Sequence, residues 1–172
     1  MSGDELAGVV DLFGALTREQ LRQAVEEVAF RVGDERDDAD VSAAIDEALE
    51  EYRLVACDPE EAGAPTGDEE LLVAGPTAFP TIPEGGQDLP LIMDVERRSV
   101  DREAVGRAVQ RRFRAETARA VEAGDLERAE TLLDVSYDVE TWAPVDLADV
   151  RTRLDDALED RTDRASDEGV EP

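Results

Sequence analysis

Apolar side chains in the N-terminal part of the chain recur every three or four positions, which is the spacing of one face of an α-helix. This pattern predicts three helices. The first opens at Asp4, the second follows Thr17, which pairs with Gln20 as a capping box, and the third follows the acidic loop 33–40. The predicted buried faces are, in order, Leu6, Val9, Val10 and Phe13; Leu21, Ala24, Val25, Val28 and Val32; and Val41, Ala44, Ile45, Ala48, Leu49 and Tyr52.

Two short apolar runs, 52–57 and 70–74, flank the turn-rich segment DPEEAGAPTGDE and predict a β-hairpin after the third helix. Three helices followed by a hairpin resemble a winged helix-turn-helix domain, here over residues 1–75. The resemblance implies that the third helix would be the recognition helix and the hairpin the wing of a DNA-binding regulator.

Residues 76–96 combine four prolines, which are predicted to forbid regular structure, with many apolar side chains. A free linker does not usually carry so much apolar surface. We therefore predict a connecting strap that lies across a neighbouring surface and joins two halves that pack together. A strap that docks a partner protein is the alternative.

Helical periodicity returns in residues 97–160, which we predict to be a helical domain. Ser99 is the predicted N-cap of a long helix that ends at Gly124, Asp125 starts a shorter helix, and Asp146 caps the last one. Residues 161–172 lack apolar periodicity and are predicted to form a disordered acidic tail. The predicted fold class is mainly α with a small antiparallel β-hairpin: a winged-helix-like N-terminal domain plus a C-terminal helical bundle.

The charge of the chain indicates a salt-adapted protein rather than a generic helical one. Asp and Glu number 45 against 18 basic residues, all of them Arg, which gives a net charge of -27. At molar salt the Debye length falls to ~3 Å and screens the self-repulsion. A GC-rich genome would not explain the acidic excess, and disorder conflicts with the helical periodicity. With no signal peptide pattern and no apolar run near the ~20 residues of a membrane span, we predict a cytoplasmic protein without membrane contact.

Three segments of the chain, LFGALTREQL, IMDVERRSVDREAVGRAV and LLDVSYDVETWAPVDL, resemble an uncharacterised haloarchaeal protein family, a domain of unknown function. The resemblance covers residues 5–158. It implies a source and a domain boundary but no activity.

Missing residue types exclude several kinds of chemistry. The chain has no His and no Lys, which removes imidazole bases, histidine metal sites, P-loops and Schiff bases. Its one cysteine, Cys57, ends an apolar run and is interpreted as a packed thiol. The acidic loop at Asp34–Asp40 does not match the EF-hand spacing and is interpreted as solvated. We predict no enzymatic activity, no catalytic residue, no cofactor and no metal, with carboxylate-only catalysis as the last alternative.

Charge also counts against DNA binding by the N-terminal domain. The outer face of the third helix carries only acids, namely Asp46, Glu47, Glu50 and Glu51, and residues 58–70 hold six acids and no base. Both surfaces would repel phosphates. Nucleic acid is therefore a possible but disfavoured partner.

One segment reverses this charge. Residues 97–124 hold eight arginines against four acids, which is +4 locally, so the rest of the chain carries -31. At roughly 100° per residue, Val105, Val109 and Phe113 share one side of the predicted helix. Arg107, Arg111 and Arg114 cluster on nearly the opposite side and form the candidate interaction surface. The predicted partner is protein, either another protein or a second copy of the chain; a nucleic-acid backbone and a solvated face without a partner are the alternatives.

Overall fold

The computed structural model describes residues 1–62 and 67–167, and its chain divides into two compact units, Met1–Val105 and Gly106–Pro172. The mainly α class with a small antiparallel sheet near the N-terminus is confirmed. The elements are α1 (Gly3–Phe13), β1 (Leu16–Thr17), α2 (Arg18–Val32), α3 (Asp38–Glu50), β2 (Leu54–Cys57), β3 (Leu71–Ala74), α4 (Leu89–Ile92), α5 (Arg102–Ala123), α6 (Leu126–Trp142) and α7 (Ala148–Asp167).

Side-chain caps begin the first three helices. The N–H of Gln20 donates to Thr17 Oγ1 at 3.1 Å and the N–H of Thr17 donates to Gln20 Oε1 at 3.0 Å, so the predicted capping box of α2 is confirmed. Helix α1 opens earlier than predicted, because Ser2 and Glu5 form a second capping box ahead of Asp4. Asp37 caps α3 through Oδ1, which accepts from Ala39 N. Each cap satisfies a backbone N–H that the helix itself leaves unpaired.

The sheet has three strands where the sequence predicted a two-stranded hairpin. β1 joins β3 from the other side, so the spatial order is β1-β3-β2 and both pairs are antiparallel. Sequence periodicity could not predict β1, because two residues are too few to show an alternation. Thr17 is both the last residue of this strand and the N-cap of α2. The sheet is therefore joined directly to the helix.

The helices and the sheet of this unit enclose one apolar core, and the buried faces of α1 and α2 are largely those predicted. Val32 is the exception on α2, since its side chain is 46% exposed at the last turn. Ala44 and Leu49 of α3 are half-buried rather than buried. Tyr52 is fully buried, but it follows α3 in a left-handed turn with φ 60 and is not part of that helix's face.

The strap of residues 76–96 runs against the N-terminal unit. Thr77 Oγ1 donates to the carbonyl of Glu51, and the N–H groups of Phe79 and Thr81 donate to Asp4. It crosses α1 at Gly8, where an added Cβ would lie 2.1 Å from the carbonyl oxygen of Thr81. The prediction that the prolines forbid regular structure is wrong at α4. This helix forms one short turn, with its proline at the start. That the strap joins two halves of the protein stays a prediction.

Asp4 holds the strap to α1 through one carboxylate oxygen. Its Oδ1 accepts from Phe79 N at 3.0 Å and from Arg53 Nη1 at 2.6 Å. The backbone hydrogen bond from Phe79, together with the bond and the charge of Arg53, lowers the pKa of Asp4 in the folded protein despite its partial desolvation. The ionised form is therefore the form that stabilises the fold.

We expect Asp4→Asn to lower the free energy of unfolding by about 1–2 kcal/mol at pH 7, because the charge-assisted bonds to Arg53 and Phe79 are weakened and the site is only partly shielded from solvent. The lowered pKa sets the sign of the pH dependence: this stabilisation is present above the unfolded-state pKa and is lost as pH falls through the folded-state pKa. Urea unfolding of wild type and variant at pH 7 and pH 3, in molar KCl, should show a difference that shrinks at pH 3. Asp155→Asn, at an exposed site on α7, controls for the loss of one negative charge, and a constant difference at both pH values would contradict the prediction.

The start of α5 differs from the prediction. Asp101, not Ser99, caps it, since Asp101 Oδ1 accepts from the N–H groups of Glu103 and Ala104. The helix cannot begin at Ser99 because Arg98 N donates to the carbonyl of Phe13 at 2.7 Å. This bond holds the backbone before Ser99 against the end of α1.

The later helix boundaries agree better with the sequence. Gly124 ends α5 with φ 66 and Asp125 caps α6 through the N–H of Arg128, as predicted. Asp146 Oδ1 accepts from Ala148 N at the start of α7. Helix α7 continues to Asp167, past the boundary predicted at residue 160, so a disordered tail over residues 161–172 is wrong as far as Asp167, and residues 168–172 lie outside the described part of the chain.

Helices α6 and α7 pack against each other in the C-terminal unit. The buried side chains of this unit include Leu132 and Val139 of α6, Leu147 just before α7, and Leu154 of α7. Among the helices in the described ranges, none has both the length and the apolar content that a membrane span requires.

Candidate functional site: the arginine face of α5

Helix α5 exposes the three arginines that the sequence singled out. Arg107, Arg111 and Arg114 are all exposed, and we call them the arginine face. The opposite side of the helix is fully buried at Val109 and Phe113. The predicted division of this helix into an apolar side and a basic side is therefore present in the structure.

Arg114 is held in place by the start of α7. Its Nη2 donates to Asp149 Oδ1 at 3.0 Å and to the carbonyl oxygen of Asp146 at 3.4 Å. Gln110, one turn earlier, donates to the same carbonyl at 2.9 Å. The side chain of Arg114 is still 46% exposed, so the arginine face keeps an exposed side chain at this end while its orientation is fixed.

Two better buried ion pairs hold the helices of this unit together. Arg128 of α6 binds Glu116 of α5, with Nε 2.8 Å from Oε1. Arg151 Nη1 of α7 lies 2.9 Å from Glu140 Oε2 of α6, and its guanidinium stacks 4.6 Å from the ring centroid of Tyr137. The guanidinium of Arg151 lowers the pKa of Glu140, and Leu147 N donates a hydrogen bond to this carboxylate. Arginine in this unit therefore binds carboxylates of neighbouring helices repeatedly.

The surfaces that a winged-helix domain would present to DNA are acidic. Asp46, Glu47 and Glu50 are exposed on α3. Arg18 of α2 binds one of these acids, with its Nη2 2.5 Å from Asp46 Oδ1. In the part of the β2–β3 connection that the structure describes, residues 58–62 and 67–70, every charged side chain is acidic. A phosphate backbone would meet like charge at both places.

Cys57 and the acidic loop, the other features that the sequence analysis considered for chemistry, contribute to the fold. Cys57 is buried and donates weakly from Sγ to the carbonyl of Leu71 at 3.6 Å, and burial raises the pKa of its thiol to about 12. A thiol with that pKa is almost entirely protonated at neutral pH and is a poor nucleophile. In the acidic loop, Asp34 pairs with Arg36 and Asp37 caps α3. Within residues 1–62 and 67–167, no group of three or more carboxylates or thiols is placed to hold a metal ion.

Three of the eight arginines in the basic segment lie in the N-terminal unit and face a different environment. Arg97, Arg98 and Arg102 line a cleft beside the end of α1. The sequence indicates their charge, since they belong to the segment of +4. It does not indicate the cleft, because the cleft depends on the length of β1 and on the path of the strap.

The model of a family of unknown function, DUF7109, matches residues 4–159 of the chain. Comparison with curated proteins and with solved structures found no match. The family match spans both units and extends from α1 into α7.

Proposed function

The chain belongs to this family of unknown function, and we propose that it acts as a salt-adapted, cytoplasmic protein-interaction module without enzymatic activity. The arginine face of α5 carries the proposal, because it is an exposed cationic surface on a chain with a net charge of -27. The partner surface is acidic and is provided by another protein or by a second copy of the chain.

Arginine is suited to this role at high salt. Its planar guanidinium binds carboxylates through two parallel hydrogen bonds, which depend on contact geometry and are screened less than a long-range charge interaction. The pair between Arg22 and Glu19 is an example within the chain, with Nε donating to Oε2 at 2.9 Å and Nη2 donating to Oε1 at 2.7 Å. A partner carboxylate would meet Arg107 and Arg111 on the same side of α5.

Exposed apolar side chains support protein contact independently of charge. Phe79 and Leu91 of the strap are 79% and 87% exposed, and Phe30 at the end of α2 is 83% exposed. Large exposed apolar side chains are typical of interaction surfaces, and salts that are excluded from protein surfaces strengthen apolar contacts. These residues favour the alternative role of the strap, in which it also contacts a partner.

We expect the triple variant Arg107→Glu, Arg111→Glu, Arg114→Glu to lose self-association, or the capture of its partner, by at least about tenfold, because opposite charges at the contact become like charges. The measurement is sedimentation of the purified chain in 3 M KCl, together with affinity capture from a molar-salt lysate of the source organism. The matched control is Arg153→Glu, Arg161→Glu, Arg164→Glu, which makes the same change in net charge at exposed sites on α7. If the arginine-face variant keeps the mass and the captured proteins of the wild type, the proposal is wrong.

A DNA-binding regulator of winged-helix type is the second candidate. The element order helix, strand, helix, helix, strand, strand over residues 3–74 and the sheet order β1-β3-β2 support the resemblance to winged-helix domains. The acidic surface of α3 argues against DNA contact through that helix, so DNA would have to bind the arginine face. This candidate requires that the wild type retards genomic fragments in a gel at molar salt and that the arginine-face variant does not.

A further inference from the structure

The N-terminal unit contains a small basic cleft that the arginine face does not include. Its volume is about 360 Å³, and it lies between the end of α1, strand β3 and the segment that leads into α5. The cleft exists because β1 is short: β1 pairs with Leu71 and Leu72, and β3 continues for two more residues. Val73 and Ala74 therefore border an opening, together with Val100.

The charged groups around this cleft are mostly cationic. Arg97, Arg98 and Arg102 line it, with Asp11 as the one acid among its lining residues, and the hydroxyl of Ser99 adds a neutral donor. The lining is thus +2 in a chain whose formal net charge is -27. An apolar border beside several guanidinium groups fits an organic anion better than a simple salt ion.

Arg97 and Arg98 keep donors for a ligand, and the guanidinium of Arg98 is also held in place. Arg98 uses one nitrogen, Nη1, to bond the carbonyl oxygen of Ala15 at 2.8 Å and Gln20 Oε1 at 3.0 Å, which fixes the guanidinium. Across residues 1–62 and 67–167, no protein group accepts from its Nε or Nη2, and the side chain of Arg97 makes no hydrogen bond or ion pair. The pre-organised donors of Arg98 lower the entropic cost of binding an anion.

The backbone that carries these side chains is fixed as well. Arg98 N donates to the carbonyl of Phe13, and the carbonyl of Arg98 lies against Gly14 with no room for a side chain there. Burial lowers the pKa of Arg102, and the charge of Asp11 only partly offsets this effect. A second negative charge in the cleft would further favour the charged form of Arg102.

From this geometry we propose that the cleft lined by Arg97, Arg98 and Arg102 binds a small organic phosphate. A phosphate group accepts from several guanidinium donors at once and carries two negative charges, which distinguishes it from the chloride that surrounds a protein in molar salt. The cleft is larger than one phosphate group, so the organic part of the ligand would rest against Val73, Ala74 and Val100.

Titration calorimetry with pyrophosphate in 3 M KCl tests the site. Wild type should bind pyrophosphate with a millimolar or lower Kd, and Arg97→Gln and Arg102→Gln should each weaken binding by at least about tenfold, because each removes charged donors. Arg153→Gln, an exposed arginine of α7, makes the same charge change and should bind as the wild type does. Circular dichroism of each variant shows that a loss of binding is not a loss of fold.

A second titration uses citrate, which carries carboxylates and no phosphate. Citrate binding at least tenfold weaker than pyrophosphate binding supports the phosphate site. Equal binding of the two anions overturns the assignment to phosphate. Absent binding to the wild type, or unchanged binding in both cleft variants, overturns the site itself.

Discussion

Lowering the KCl concentration from 3 M to 0.1 M should reduce the free energy of unfolding by on the order of 5 kcal/mol, which is a large part of the stability of an ordinary domain. The cause is the net charge of -27, which is confined in the folded state and spread out in the unfolded chain. For a chain of this size we expect the melting temperature to fall by roughly 10–20 °C. Thermal unfolding followed by circular dichroism over a KCl series measures the effect.

The magnitude follows from screened repulsion between exposed carboxylates. Two like charges about 10 Å apart in water repel by about 0.4 kcal/mol without salt, and screening reduces this to about 0.15 kcal/mol at 0.1 M and to nearly zero at 1 M. A few tens of such pairs give the loss of on the order of 5 kcal/mol. Salt therefore acts mainly by removing repulsion.

A charge-neutralised variant of α7 separates screening from a general effect of salt on apolar burial. Replacing the exposed acids Asp155, Asp156, Glu159 and Asp160 by Asn or Gln should raise stability at 0.1 M KCl and leave it nearly unchanged at 3 M. Equal stabilisation at both concentrations would show that helix propensity rather than charge is responsible. A wild type that melts at the same temperature across the series would refute salt adaptation itself.

The ion pairs of the N-terminal unit are arranged in keeping with this excess of acid. Arg22 on α2 binds Glu19 at 2.7 Å and Asp38 at 3.1 Å, and also contacts Glu26. These carboxylates raise the pKa of Arg22. Because its guanidinium contacts three carboxylates, Arg22 offsets repulsion among several acids at once, which suits a chain with 45 acids and 18 arginines.

Local signals in the sequence were sufficient for most helices. The Thr17 and Gln20 pair, Gly124 and Asp125 act at the helix ends where the sequence predicted them, because each satisfies backbone groups within its own turn. The arginine face was predictable for a related reason. Which residues share one side of a helix depends only on spacing within that helix.

Features that depend on contacts distant in sequence were not predictable from local patterns. β1 forms because β3 pairs with two residues that show no strand pattern, and Ser99 fails as a cap because Arg98 is bonded to Phe13. The cleft of Arg97, Arg98 and Arg102 results from both of these contacts. The sequence therefore indicated the basic segment but not the division of its arginines between two different surfaces.

Gly14→Ala should destabilise the N-terminal unit by about 4 kcal/mol, the second large effect that we expect. Gly14 has φ 80 and ψ -48, a conformation that an L-residue rarely adopts, and its Cβ would lie 1.9 Å from the carbonyl oxygen of Arg98. The carbonyl oxygen of Arg98 is a backbone atom, and the added Cβ is bonded directly to the backbone. No side-chain rotation can therefore relieve the contact. The segment around Arg98, which follows the strap, must move, and this breaks the bond from Arg98 to Phe13. Urea unfolding in 3 M KCl measures the loss.

Gly33→Ala is the matched control, because the two glycines end helices in similar positions but have different surroundings. Gly33 has φ 70, and no atom lies within 4 Å of the position of an added Cβ. This variant should cost only about 1–2 kcal/mol, the penalty of a left-handed conformation for a residue with a side chain. The difference between the two losses measures how firmly the segment around Arg98 is held against α1, and equal losses would show that the contact between Gly14 and Arg98 does not hold that segment in place.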